Sequence, residues 1–155
     1  PDTSSLGRMF DAAAGLLGVA THNGYEAKAA MRLEALVRRP VDGHAYTITP
    51  RGDLDLGPLF ERLADTRDAV HGAELFHGTL AAALARWLAD RATAMGRSTV
   101  ALGGGCLVNR VLRDGVIGAL EARGLTVLAP RAVPAGDGGL SLGQAWVAAL
   151  RVEEG

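Results

Sequence analysis

Residues 99–110, Thr-Val-Ala-Leu-Gly-Gly-Gly-Cys-Leu-Val-Asn-Arg, carry the pattern that decides the fold. The run from Thr99 to Leu102 is rich in β-branched and apolar residues, which predicts a short buried strand. Gly103, Gly104 and Gly105 follow, and without a Cβ they allow a tight turn whose backbone can touch a ligand. Apolar residues then recur at helical spacing and predict a helix from residue 107: Val108, Val111, Leu112, Val116, Ala119 and Leu120.

This strand, turn and helix have two interpretations. Free N–H groups at a helix start beside a glycine turn suit a phosphate. A triple glycine alone is equally consistent with a tight connection that binds nothing. A second strand is predicted over residues 125–129, and a strand–helix–strand unit of this length makes the two strands parallel neighbours.

A second glycine-rich loop, residues 134–139, follows the second strand and contains Asp137. Ligands of parallel sheets bind at the carboxyl ends of the strands. We therefore expect the two glycine loops to meet at one crevice, where backbone N–H groups can hold a phosphate. The carboxylate of Asp137 can hold the cation that accompanies a nucleotide.

The rest of the chain is mostly helical. Apolar spacing and end signals predict helices over residues 6–18, 25–37, 58–63, most of 67–95, and 140–152. Residues 46–49 are a candidate edge or hairpin strand, and residues 53–58 are expected to form a loop. Glu34, Arg38 and Arg39 are interpreted as a solvated helix end, and an alternative for Glu34 is an ion pair with Lys28 or Arg38 at helical spacing. The fold class is therefore α/β, a partly parallel sheet with flanking helices, in a single lobe over residues 1–155.

Composition excludes several classes of function. The 155 residues are 48% hydrophobic and 21% charged, with a net charge of −1. This balance offers no electrostatic footprint for nucleic acid or an anionic membrane, and no apolar run approaches a membrane span. The chain shows no secretory signal, and its single cysteine, Cys106, favours a reducing cytoplasm. Because it begins with Pro1, we expect it to be a piece of a longer protein.

Several separated blocks, in order, resemble the C-terminal part of the HypF carbamoyltransferases of [NiFe]-hydrogenase maturation. They are residues 7–18, Gly-Arg-Met-Phe-Asp-Ala-Ala-Ala-Gly-Leu-Leu-Gly; residues 25–34, Tyr-Glu-Ala-Lys-Ala-Ala-Met-Arg-Leu-Glu; residues 76–80, Phe-His-Gly-Thr-Leu; residues 102–112; and residues 133–146. The resemblance runs over nearly the whole chain.

The resemblance implies a fold of the actin/Hsp70/sugar-kinase (ASKHA) type, of which this chain is the second lobe. It implies a reaction in which ATP and a carbamoyl group derived from carbamoyl phosphate form carbamoyl-adenylate. The carbamoyl group then passes to the C-terminal cysteine of a HypE-like acceptor protein, which turns it into the cyanide ligands of the iron. The isolated lobe is expected to be inactive.

The resemblance also assigns roles to particular residues. Gly103, Gly104 and Gly105 match the loop that lies against the nucleotide, and Asn109 matches an asparagine that reaches it. Asp11 matches an aspartate that binds the ribose hydroxyls. Asp137 matches an aspartate that binds a divalent metal. The nucleotide wall continues at Tyr25 and Glu26.

Some features depart from the family or stay open. The family's other metal ligands, a His-x-x-x-His pair in the first lobe, are absent from this chain, so Mg, Fe and Zn are not distinguished. We interpret Cys106 as a packing residue and not a nucleophile. We interpret His77 either as a residue that makes a structural hydrogen bond or as one that supports the crevice.

Two other functions remain as alternatives. One is a lobe of an O-carbamoyl or tRNA threonylcarbamoyl transferase, although the tRNA enzymes usually have Asp-Asn-Gly where residues 137–139 read Asp-Gly-Gly. The other is a non-catalytic module that binds a nucleotide or a partner protein.

Overall fold

The computed structural model describes residues 3–22, 24–25 and 27–153. Within these residues the chain forms helices α1 (Leu6–Leu16), α2 (Lys28–Leu36), α3 (Gly57–Asp65), α4 (Ala69–Ala94), α5 (Arg110–Glu121) and α6 (Leu140–Glu153), and strands β1 (Thr47–Ile48), β2 (Leu54–Asp55), β3 (Thr99–Ala101) and β4 (Thr126–Leu128). Short 3₁₀ turns occupy Gly105–Val108 and Asp137–Gly139.

The predicted parallel pair is confirmed. Strands β3 and β4 are parallel neighbours, with Val100 opposite Val127, and α5 connects them. The α/β class with a small parallel sheet and flanking helices is therefore correct. Each described sheet has two strands, so the helices contribute most of the core.

A second, antiparallel pair corrects one prediction. Residues 53–58 were expected to be a loop, but Leu54 and Asp55 pair as β2 with β1. The turn between the strands is closed by hydrogen bonds from Gly52 N to the carbonyl of Thr49 and from Thr49 N to the carbonyl of Asp53. Asp55 Oδ1 also accepts a hydrogen bond from Gly57 N at the start of α3.

Helix α4 is the centre of the molecule. Asp68 begins it by accepting hydrogen bonds from Val70 N and His71 N, an N-cap of the usual kind. Its buried residues include Phe76 and Leu80, which belong to the single hydrophobic cluster of the described residues. Helix α5 packs along α4. The two helices approach closely, because a Cβ added to Gly115 of α5 would lie 2.9 Å from Cβ of Ala81 in α4.

The helix predicted from residue 107 begins later. Residues Gly105–Val108 form a 3₁₀ turn, and Val108 is 63% exposed. Asn109 then caps α5, its Oδ1 accepting a hydrogen bond from Leu112 N. An apolar spacing rule counted Val108 as helical because it cannot distinguish a tight turn from the first turn of a helix.

Helix α6 has few packing partners. All its described side chains are exposed, among them Leu142, Trp146 and Leu150. The apolar spacing that predicts α6 therefore lies at the surface of this chain. No helix among the described residues has the length and apolar character to cross a membrane.

Candidate functional site

The two glycine loops meet, as the sequence predicts. Gly104 N donates a 2.7 Å hydrogen bond to the carbonyl oxygen of Ala135. A Cβ on Gly136 would lie 3.2 Å from Cα of Gly105, so the two backbones are in contact. Gly104 has φ of 104°, a conformation that side chains strongly disfavour. The backbone conformation of Gly104 therefore favours glycine, and a side chain on Gly136 would crowd the first glycine loop.

A cleft of about 850 Å³ opens beside this junction. Helices α1 and α2 form one side of it, and the two glycine loops form the other. Four of the residues assigned from the sequence line it together: Asp11, Gly105, Asn109 and Asp137. Residues more than 120 positions apart in the chain are thus brought to one site.

Other assigned residues lie elsewhere. Gly104 lines a neighbouring depression along α6, and Gly103 lines neither space. Tyr25 is 58% exposed and its ring faces Lys28 Nζ, so it does not line the cleft. The prediction on Glu26 falls outside the described residues. Ala27, two residues after Tyr25, does line the cleft, and its backbone φ is 59°.

The side chain of Asn109 is held on two sides. Its Oδ1 accepts from Leu112 N at 2.9 Å, and its Nδ2 lies 3.1 Å from Nε2 of His77. Nδ1 of His77 lies 2.8 Å from the carbonyl oxygen of Ala73. Both side chains are buried. The interpretation of His77 as a hydrogen-bonded core residue is therefore correct, and its bond reaches a residue that lines the cleft.

Burial lowers the pKa of His77, while its bond to the Ala73 carbonyl and the negative charge of Glu34 act in the opposite direction. Desolvation disfavours the charged ring, so a neutral imidazole is preferred. That state matches the contacts, since a neutral ring has one nitrogen that donates and one that accepts.

Glu34 was missed by the sequence analysis. It was interpreted as a solvated helix end, but it lines the cleft and its Oε1 accepts a 2.7 Å hydrogen bond from Arg110 N, the first residue of α5. In one of the two interpretations of the sequence, the start of α5 offers free N–H groups to a phosphate. Instead Glu34 and Asn109 take those of Arg110 and Leu112. Neighbour-spacing rules could not find this contact, because 76 residues separate Glu34 from Arg110.

The cleft is acidic. Its charged side chains are one base, Arg8, and three acids: Asp11, Glu34 and Asp137. Arg8 Nη1 pairs with Asp11 Oδ2 at 3.3 Å. An anionic ligand in such a site needs a cation to offset the carboxylates.

Asp137 is the carboxylate best placed to bind a cation at the glycine loops. It is exposed and lies at the start of the 3₁₀ turn in the second glycine loop. However, no group of three or more His, Cys, Asp or Glu side chains among the described residues could hold a metal. The residues present therefore fit one ligand of a hard cation, and this chain alone does not complete a metal site.

Cys106 also lines the cleft, half-buried against the core. Burial raises the pKa of its thiol. A thiol with a raised pKa stays protonated near neutral pH and is a poor nucleophile. The structure supports the interpretation of Cys106 as a packing residue.

Comparison with known proteins agrees with the resemblance. Residues 1–144 match the family model described as "Carbamoyltransferase, Kae1-like Domain, second subdomain". The chain is 49% identical over 162 residues to a "Carbamoyltransferase HypF homolog" of Cupriavidus necator, covering 96% of this chain and 41% of that protein. It is 51% identical over 147 residues to "Carbamoyltransferase HypF" of Rhizobium leguminosarum bv. viciae, covering 93% and 19%.

Solved structures agree as well. A crystal structure of full-length HypF in a phosphate- and nucleotide-bound form superposes with a TM-score of 0.84 at 32% identity, covering 98% of this chain and 21% of that one. The HypF of T. kodakarensis superposes with a TM-score of 0.76 at 32% identity, covering 97% and 20%. The chain thus spans between about a fifth and two fifths of the length of these relatives. It has the ASKHA-type, Kae1-like fold, and it belongs to the family of Kae1-like second subdomains of the HypF carbamoyltransferases.

Proposed function

We propose that this chain is the nucleotide-binding lobe of a HypF-type carbamoyltransferase and that its cleft takes ATP with a divalent cation. The observation that carries the proposal is the meeting of Gly105, Asp11 and Asp137 around one cleft. The nucleotide-bound state of a solved HypF at 32% identity supports it.

In this proposal each wall of the cleft meets a different part of the nucleotide. Asp11 accepts hydrogen bonds from the ribose hydroxyls, since a carboxylate offers several lone pairs. Asp137 binds the cation that offsets the charge of the phosphates. The phosphates lie against the backbone of the glycine loops and not at the start of α5, because Glu34 and the side chain of Asn109 already bond to two of its N–H groups, those of Arg110 and Leu112.

The whole enzyme would then form carbamoyl-adenylate. An oxygen of a carbamate derived from carbamoyl phosphate attacks the α-phosphorus of ATP, and pyrophosphate leaves with the electron pair of the broken P–O bond. The thiolate of the C-terminal cysteine of a HypE-like acceptor then attacks the carbamoyl carbon, and AMP leaves with the electron pair of the broken C–O bond. The other metal ligands come from the first lobe in this proposal, the compartment is the cytoplasm, and no catalytic residue is assigned in this chain.

Titration of the 155-residue chain with ATP and Mg²⁺, followed by NMR, tests nucleotide binding. We expect weak but saturable shifts at residues 7–11, 105–109 and 136–138, because one lobe supplies part of the contacts and cannot exclude water. Asp137→Asn should weaken the Mg²⁺-dependent part of the affinity about tenfold, the loss of one charged contact. Asp114→Asn, an exposed carboxylate of α5 beside Arg113, is the matched control and should bind like the wild type. Absence of saturable shifts would refute the proposed binding.

A chimera tests the activity. The corresponding segment of the Rhizobium relative is replaced by this chain, and carbamoyl-phosphate-dependent ATP–pyrophosphate exchange is measured. Exchange that is lost in the chimera carrying Asp137→Asn and retained with Asp114→Asn supports the proposal. A folded chimera that binds ATP without exchange would instead favour the non-catalytic module. Exchange that depends on threonine would favour a threonylcarbamoyl transferase.

A further inference from the structure

We propose that His77 is a positioning residue of the cleft: its neutral ring fixes the orientation of the Asn109 side-chain amide and so the polar surface offered to the nucleotide. This inference rests on the proposed function and adds a buried residue that does not line the cleft. The observations that support the inference are the contacts that join α4, α5 and the cleft.

His77 is fully buried on the inner face of α4. The ring of Phe10 packs edge-on against it with centroids 5.6 Å apart, and that of Phe76 at 5.4 Å. Phe10 lies beside Asp11 on α1 and lines the cleft itself. The ring of His77 is therefore held in place by the same helix that supplies one wall of the cleft.

The tautomer of His77 follows from its two partners. The carbonyl oxygen of Ala73 can only accept, so Nδ1, 2.8 Å away, carries the proton. Nε2 then has a lone pair and accepts from Nδ2 of Asn109 at 3.1 Å. The other end of the amide agrees with this assignment, because Oδ1 faces the donor Leu112 N.

This arrangement allows one orientation of the amide. Rotating it by 180° would put its oxygen against the lone pair of Nε2 and its NH₂ group against Leu112 N–H, two repulsive contacts in a buried site. Among the described residues, these two bonds engage one N–H and one lone pair of the amide. The second N–H and the second lone pair remain for a ligand of the cleft, and His77 determines where they point.

Three variants of the 155-residue chain separate positioning from folding. His77→Phe keeps an aromatic ring of similar size but removes the acceptor for Asn109. His77→Gln restores an acceptor, because its Oε1 can reach Nδ2 of Asn109. Thr79→Val is the matched control: Thr79 is also fully buried on α4, but its hydroxyl accepts from Gly43 N in another part of the molecule.

We expect His77→Phe to weaken ATP–Mg²⁺ binding by about three- to tenfold, the equivalent of one hydrogen bond. His77→Gln should bind within about twofold of the wild type, and Thr79→Val should bind like the wild type even where its melting temperature falls. In an Asn109→Ala background, His77→Phe should have no further effect. Thermal melts accompany every titration to show that each variant is folded.

The ring nitrogens supply a measurement that needs no variant and no nucleotide. Their ¹⁵N chemical shifts in the wild-type chain should show Nδ1 protonated and Nε2 unprotonated at pH 7. A protonated Nε2 would overturn the inference, as would a folded His77→Phe that binds ATP like the wild type. If His77→Phe does not fold, unchanged affinity in a folded Asn109→Ala chain would overturn it equally.

The two proposals fail differently. A wild-type chain without saturable ATP shifts refutes the nucleotide-binding function, and the role of His77 falls with it. A wild-type chain that binds ATP, together with His77 variants whose affinity follows their melting temperature, refutes only the positioning role.

Discussion

Asn109 connects the fold of this chain to its cleft. The side-chain amide of Asn109 caps helix α5 by accepting a hydrogen bond from Leu112 N, and it also bonds to His77. The same residue lines the cleft between α1 and the glycine loops. A residue with so many contacts cannot be changed without disturbing both the helix start and the cleft. Experiments that use Asn109→Ala alone would therefore mix the two effects, whereas variants of His77 separate them.

The pKa of His77 predicts a dependence of stability on pH. Burial lowers its pKa in the folded chain below the usual value of 6.5. Below pH of about 6.5 the unfolded chain therefore binds a proton that the folded chain does not, and stability falls as the pH decreases toward the folded pKa. Relative to His77→Gln, the wild type should lose at most about 1.4 kcal/mol of unfolding free energy per pH unit in that window.

Urea unfolding of both proteins between pH 7.5 and 5 measures this difference. The full stability should be present above pH of about 6.5. A difference between the wild type and His77→Gln that stays constant over the whole range would contradict a buried neutral histidine.

At the residue scale, sequence reasoning found the residues that belong to motifs. Asp11, Gly105 and Asp137 belong to separate blocks, and the rule that parallel strands end at one edge of a sheet predicts that the glycine loops meet. The bond of Glu34 to Arg110 N and the identity of Asn109 as a partner of His77 were missed, because 76 and 32 residues separate the members of these pairs. No spacing pattern records a contact that depends on how helices pack.

At the scale of the elements, an irregular segment is held against helix α4. Residues 38–45 run along α4, and Glu74 Oε1 accepts hydrogen bonds from Arg38 N and Arg39 N. Val41 N donates to the carbonyl of Glu74. Both arginines are exposed, as the prediction of a solvated helix end requires, while their backbone N–H groups are held by α4. The approach is possible because residue 78, facing Val41, is a glycine.

Gly78→Ala tests this contact. A Cβ there would lie 2.4 Å from backbone atoms of Val41, so the segment must move away. We expect a loss of about 2 kcal/mol or more of unfolding free energy, since overpacking outweighs the better helix propensity of alanine. Gly118→Ala is the control, because no atom lies within 4 Å of its added Cβ, and it should gain about 0.5–1 kcal/mol. Equal effects of the two substitutions, measured by urea unfolding, would contradict the close approach.

Helix α6 should be the least protected helix of the isolated chain. Local opening is easy where few apolar contacts hold an element, and every described side chain of α6 is exposed. Hydrogen exchange should therefore label amides 144–152 within seconds to minutes, while the central amides of α4 exchange far more slowly. Protection of α6 equal to that of α4 at low protein concentration would contradict this expectation.

Long helices were predicted well, as in α4 (Ala69–Ala94), for which the sequence predicts helix over most of residues 67–95. Their ends were predicted less well. The first turn of α5 begins three residues after the predicted start because Asn109 provides the cap. The sequence predicts a loop in place of β2 because its two residues, Leu54 and Asp55, are too short a run to show alternation. Helix caps and the pairing of two-residue strands depend on particular contacts, and the spacing of apolar residues does not predict those contacts.

On the scale of the whole molecule, four segments line the cleft. They are the start of α1, helix α2, the first glycine loop with Asn109, and the second glycine loop. The chain spans a fifth of the nucleotide-bound HypF to which it is similar, and the exposed apolar side chains of α6 lie beside the same loops. The cleft as described is therefore open, which is the physical reason for expecting weak nucleotide binding by this chain alone.

The most direct test of this account is paramagnetic broadening by ATP bound to Mn²⁺ in the ¹⁵N-labelled chain. Because Mn²⁺ broadens signals from nearby nuclei, the account predicts that amides of Asp11, Gly105 and Gly138 broaden together at low Mn²⁺–ATP concentration, while those of α3 stay sharp. It also predicts that Asp137→Asn reduces the effect at all three. Broadening confined to one of these segments, or centred on residues outside the cleft, would contradict a shared nucleotide site.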